Sequence, residues 1–169
     1  MADSKKEHVL QEIKKLREIY PKGDSVVIPA LWKIQEIYGY LHEEGLQVLA
    51  EEIGTSVEHL IQVASFYHYF RLKPAGKYQI HICTNVSCML NGAYEIVETL
   101  KEKLGVEAGE VTPDGMFSWE ETECIGLCDK APAGFINMTR IVHLDREKIL
   151  DIIENPEKYV KEDNRLELI

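Results

Sequence analysis

The sequence predicts an α/β protein in two parts, a small helical bundle followed by a small α/β layer. Three observations carry this reading. Apolar residues recur at helical spacing up to about residue 70. After the P-A-G connector at 74–76 the pattern changes to strand-like alternation interleaved with helices. All four cysteines lie beyond that switch, in two well-separated pairs. The expected boundaries are 1–73 for the bundle, 74–155 for the α/β part and 156–169 for an exposed tail of mixed charge.

Each element follows from local chemistry. Val9, Leu10, Ile13, Leu16 and Ile19 line one face of a helix over 5–20, and Pro21 and Gly23 end it. Pro29 suits the first turn of a second helix, whose stripe is Leu31, Trp32, Ile34 and Tyr38 and whose stop is Gly39. Trp32 is expected in the core. Leu46, Leu49 and Ile53 mark a third helix closed by Gly54. Thr55 and Glu58 have capping-box spacing and open a fourth, carrying Leu60, Val63, Ala64, Phe66 and Tyr67. The aromatic run Phe66, Tyr67, Tyr69 and Phe70 is expected either to dock a partner or to join the two parts. In the second part, Tyr78, Ile80 and Ile82 alternate, so 77–83 reads as a half-buried strand. One helix is expected over 87–104, ended by Gly105, and a strand around Phe117 and Trp119. Residues 133–138 and 140–144 read as a hairpin whose turn, 137–140, lacks glycine. Asp145 can cap a last helix carrying Ile149, Leu150 and Ile153. The order β-α-β-loop-β-β-α matches a small α/β layer of the thioredoxin type.

Composition excludes several classes of function. A chain of 169 residues with net charge −10 has no electrostatic reason to bind nucleic acid or an anionic membrane face. At 45 % hydrophobic and 28 % charged it is globular. Its longest apolar stretch, 26–32, cannot span a bilayer. The opening M-A-D-S-K-K-E-H has no apolar segment, so the expected compartment is the reducing cytoplasm. No G-x-G-x-x-G or P-loop pattern offers a nucleotide site, and no catalytic triad or carboxylate pair stands out.

The cysteines carry the chemistry. Cys83 and Cys88 form a C-x₄-C pair, and Cys124 and Cys128 a C-x₃-C pair. Each pair falls where a strand gives way to a loop or helix, so the two can converge on one point. A helix N-terminus beside Cys88 would lower its thiol pKa. Structural zinc sites favour tighter knuckles. A [2Fe–2S] cluster takes two thiolates on each iron, so each pair can arrive from its own loop. Met89, Leu90, Ile125 and Leu127 offer apolar cover. Gly126 removes a side chain where backbone N–H groups could approach sulfur. Thr84, Asn85 and Ser87 offer hydrogen bonds, and Glu123 and Asp129 would make reduction harder. Iron–sulfur is therefore favoured over zinc, with buried thiols or one redox pair as the plainer readings. Four cysteines suffice as ligands, so His68 and His81 receive no such role.

Longer motifs extend the argument. I-P-A-L-W-K-I-Q-E-I-Y-G-Y-L, V-A-S-F-Y-H-Y-F, G-K-Y-Q-I-H-I-C-T-N-V-S-C, G-E-V-T-P-D-G-M-F-S-W-E-E-T-E-C-I-G-L-C and A-P-A-G-F-I-N occur in that order. In these the chain resembles, over roughly 5–155, the thioredoxin-like [2Fe–2S] subunit of the NADH-oxidising module of respiratory complex I. The same subunit type serves NAD(P)-linked hydrogenases and formate dehydrogenases. The resemblance implies a helical bundle followed by a thioredoxin-like domain, with Cys83, Cys88, Cys124 and Cys128 as ligands of one [2Fe–2S] cluster. It implies an oxidoreductase subunit with no catalytic site of its own. That subunit would dock beside a flavin-bearing, NADH-oxidising partner, exchange one electron with the flavin, and lie near a larger iron–sulfur subunit. Neither nucleic acid nor direct membrane contact is implied. The alternatives are a zinc-stabilised scaffold and a free-standing ferredoxin.

Overall fold

The computed structural model of the chain describes residues 2–20 and 22–160. Met1, Pro21 and residues 161–169 lie outside them, and the described start of the expected tail, 156–160, is only partly exposed, with Pro156 buried and Tyr159 and Val160 packed on the core. The chain divides into two compact units, Met1–Pro74 and Ala75–Ile169.

The first unit is helical. Helices α1 (Ala2–Ile19), α2 (Val27–Tyr38), α3 (Glu43–Ile53) and α4 (Val57–Ser65) follow one another, with a 3-10 turn at Gly23–Val26. Their apolar stripes meet in one core built on Val9, Ile13, Leu31, Ile34, Leu49 and Leu60. Gly39 and Gly54 end α2 and α3 in the left-handed region, at φ 86° and 74°, as helix stops do. The cap of α4 differs from the expectation. Ser56 Oγ, not Thr55, accepts from His59 N, because the helix begins one residue later. Trp32 is half-buried rather than core, its ring 5.1 Å from that of Phe70 and 6.4 Å from that of Tyr69. Phe66 and Tyr67, expected on the fourth helix, lie beyond its end at Ser65 and are exposed. Gln35, buried in α2, donates to Tyr69 O and accepts from Arg71 N, which ties the end of the unit back to the bundle.

The second unit is a four-stranded mixed sheet in the order β2-β1-β3-β4. Strand β1 (Tyr78–Cys83) lies parallel to β2 (Phe117–Thr122) and antiparallel to β3 (Gly134–Ile136), which pairs antiparallel with β4 (Thr139–Ile141). Strand β1, central in the sheet, is buried along its length except at the partly covered His81, not half-buried. A parallel pair needs a long crossover. Here it is α5 (Val86–Leu90) and α6 (Ala93–Leu104) followed by the 105–116 loop. The expected single helix is thus two. Asn91 and Gly92 interrupt it, and Gly92 takes φ 94° as the N-cap of α6. The glycine-free hairpin turn works because Asn137 adopts φ 51°, which asparagine tolerates. Its side-chain oxygen also accepts from Gln79 N.

Helix α7 (Arg146–Glu154) packs on α6 and buries Ile149 and Ile152. Asp145 caps it, Oδ1 accepting from Lys148 N at 2.7 Å. Asp145→Ala should cost about 1 kcal/mol and Asp145→Ser a few tenths. Thermal melts of the three proteins check this.

Candidate metal centre

Parallel pairing of β1 and β2 decides where the cysteines meet. Both strands point the same way, and Cys83, the last residue of β1, stands opposite Thr122, the last of β2. The two chains leave the sheet at one edge. After β1 the chain turns into α5, which carries Cys88. After β2 it enters the loop that carries Cys124 and ends at Cys128, the start of a 3-10 turn. All four cysteines line one pocket of about 380 Å³, together with Asn85, Val86, Ser87, Leu90 and Asn91.

The pairs differ in exposure. Cys83 and Cys88 are buried, at 2 % and 3 % exposure, whereas Cys124 and Cys128 open to solvent. The outer sulfurs are 3.7 Å apart. A metal held tetrahedrally at about 2.3 Å from each sulfur would separate two sulfurs by about 3.8 Å, so the outer pair already has the bite of one metal ion. Among the described residues, no three His, Cys, Asp or Glu side chains gather around a single ion. The sulfurs stand as an inner and an outer pair around a shared space, an arrangement that fits two irons.

Electrostatics corrects one expectation. Cys88 sits in the first turn of α5, yet its thiol is pushed up to about 11, chiefly by burial. The helix terminus does not compensate. Cys128 is also raised, chiefly by its hydrogen bond with Cys124. In both residues the shift favours the protonated thiol over the thiolate that a metal needs.

The neighbours divide differently from the sequence reading. Ile125 and Leu127 are half-buried and pack on the core, as cover should. Met89 and Leu90 are exposed, Leu90 by 76 %, and so is Val86, which the sequence did not single out. Gly126 is required by its φ of 75° rather than by crowding, since a Cβ there meets nothing within 4 Å. Asn85 and Ser87 hydrogen-bond across the pocket mouth to the opposite loop, to Glu123 and to the Cys128 carbonyl. Neither the partners nor the direction of those bonds has a local signal.

Comparison with known proteins shows the family. The family profile for thioredoxin-like [2Fe–2S] ferredoxins matches residues 13–157. The chain is 40 % identical over 118 residues to NADH-quinone oxidoreductase subunit 2 of Thermus thermophilus, covering 69 % of this chain and 65 % of that one. It is 38 % identical over 136 residues to the alpha subunit of the NAD-reducing hydrogenase HoxS of Cupriavidus necator, covering 80 % of this chain and 23 % of that subunit. The crystal structure of an air-oxidised NAD⁺-reducing [NiFe]-hydrogenase superposes with a TM-score of 0.70 and 27 % identity, over 82 % of this chain and 24 % of the other. The chain thus spans about two thirds of the first relative and under a quarter of the hydrogenase chains.

Proposed function

Because this chain belongs to the thioredoxin-like [2Fe–2S] ferredoxin family, we propose that it is the electron-transfer subunit of a multisubunit NAD(P)H-linked oxidoreductase. In this reading Cys83, Cys88, Cys124 and Cys128 hold one [2Fe–2S] cluster. The observation that carries it is the set of four thiols, brought from two distant segments to one pocket as two pairs. Cys83 and Cys88 would hold one iron and Cys124 and Cys128 the other. The bound cluster supplies reversible uptake of a single electron.

The protein's own work is to hold and insulate. The ends of β1 and β2 fix Cys83 and the start of the second ligand loop against a rigid sheet. Ile125 and Leu127 anchor that loop to the core. The buried inner pair is shielded from water, while the exposed outer pair faces outward, where a partner can approach. Glu123 and Asp129 beside it disfavour the extra negative charge of reduction. The sequence has no nucleotide-binding fingerprint, so reaction with NAD(P) is assigned to a flavin-bearing partner subunit, with a larger iron–sulfur subunit beyond it. The names of the relatives, a NADH-quinone oxidoreductase subunit and a NAD-reducing hydrogenase subunit, support that assignment. Among the described residues no helix is long and apolar enough to cross a membrane.

Anaerobically purified protein should be red-brown, contain about two irons and two acid-labile sulfides per chain, and give an EPR signal on reduction. Colourless protein with one zinc per chain would establish a scaffold in its place.

A further inference from the structure

Two side-chain hydrogen bonds join the segments that carry the two cysteine pairs. Asn85 Nδ2 donates to Glu123 Oε2 at 2.9 Å, and Ser87 Oγ donates to the Cys128 carbonyl oxygen at 3.0 Å. Both donors lie between Cys83 and Cys88. One acceptor immediately precedes Cys124 and the other is Cys128 itself, so the second ligand loop is gripped at both ends. We propose that Asn85, Ser87 and Glu123 form a clamp that fixes the spacing between the inner and outer cysteine pairs. They are positioning residues, not ligands, and the proposal rests on the cluster reading above.

The sheet cannot do this alone. The β1–β2 ladder ends at Cys83 and Thr122, and Thr84 N to Thr122 O at 3.2 Å is the last backbone bond between the two segments. Among the described residues, no backbone-to-backbone hydrogen bond ties 123–127 to a segment outside 123–130. Ile125 and Leu127 hold the loop down against the core. Apolar contact is non-directional and sets depth better than lateral position. Directional bonds at the two ends supply what is missing.

Asn85 suits this task because it does two things at once. Its Oδ1 accepts from Val86 N at 3.1 Å and starts α5, while its amide nitrogen reaches the opposite loop. Ligand-bearing helix and ligand-bearing loop are thereby referred to one side chain. The two functions are separable. Serine also serves as an N-cap but is too short to reach Glu123 and carries no amide. Glutamine at 123 keeps an oxygen acceptor and drops the charge.

The test uses the full cluster-loaded chain and reads release of the cluster to excess chelator by visible absorbance. Asn85→Ser and Ser87→Ala should each release it about five- to tenfold faster than the parent, the scale of one net hydrogen bond. Ser87→Thr, which keeps the hydroxyl, should restore retention. Glu123→Gln should release within about twofold of the parent while its reduction potential rises, separating grip from charge. Asn85→Ser combined with Glu123→Ala should be no faster than Asn85→Ser alone, because both remove one bond. Melting temperatures of the cluster-free variants should match the parent. Release at the parental rate in Asn85→Ser and Ser87→Ala overturns the clamp, as does acceleration that only tracks a lowered cluster-free melting temperature. A parent chain without iron and sulfide overturns the cluster reading and this proposal with it, so the two failures are distinct.

Discussion

Cys124→Ser is expected to strip the iron from the pocket and leave the fold standing. Cys124 is exposed and belongs to the outer pair, 3.7 Å from Cys128. Exchanging sulfur for oxygen at an exposed position changes stability by no more than about 0.5 kcal/mol. In the proposed cluster the same exchange would remove one of four soft thiolate ligands, which iron–sulfur chemistry favours over hydroxyl oxygen. Iron and sulfide should fall below about half of the parental amount, and the visible spectrum should bleach or shift. The cluster-free melting temperature should stay within about 3 °C of the parent. Cys83→Ser gives the same loss of iron with a second effect. Its hydroxyl would be buried at the end of β1, at 2 % exposure, and should cost about 1–2 kcal/mol even without metal. The outer cysteine thus separates ligation from packing and the inner one does not. A Cys124→Ser protein with the parental iron, sulfide and spectrum would remove Cys124 from the ligand set.

The contrast between the pairs shows where reading from sequence stops. The periodicities of α1 to α4, the alternation in β1 and the Asp145 cap are local signals, and each produces its element. Local signals also mislead by small amounts. Ala93, Ile96, Val97 and Leu100 continue an apolar stripe whose start at 87 looks unbroken, yet the helix is split at Asn91 and Gly92, with Gly92 at φ 94° as the N-cap of α6. The Thr55 capping pattern is satisfied one residue later by Ser56. Cys88 shows a deeper limit. A helix start argues for a low thiol pKa, but burial depends on which strands and loops close over the sulfur, and burial wins. The same holds for the bonds of Asn85 and Ser87. Their residue types announce hydrogen bonding, whereas their partners, some forty positions away, exist only because β1 and β2 run parallel.

Gly134→Ala should damage the sheet and the metal centre together. Gly134 opens β3 and pairs with Ile82 of β1 on one side and Ile141 of β4 on the other. Its backbone is not left-handed, so the requirement is one of space. A Cβ at this position would run into the carbonyl oxygen of His81 and press on the Ile82 side chain. The obstacle is the backbone of the central strand, which cannot swing aside as a flexible side chain would. Either β3 retreats from β1 or β1 bends. Both routes reach the metal centre, because Cys83 N donates to Ala133 O, one residue from the substitution, at 3.0 Å. Overpacking of this kind costs about 3 kcal/mol, or on the order of 15 °C in melting temperature for a unit of this size. Loading with iron should fall as well, although no ligand has been touched, since the inner pair is displaced from the outer one. Gly23→Ala is the control. A Cβ there comes only to 3.9 Å from Ile53 O, and that variant should melt with the parent. If Gly134→Ala melts within about 2 °C of the parent, at most about 0.5 kcal/mol has been lost, and β1 does not hold Cys83 as rigidly as the sheet register implies.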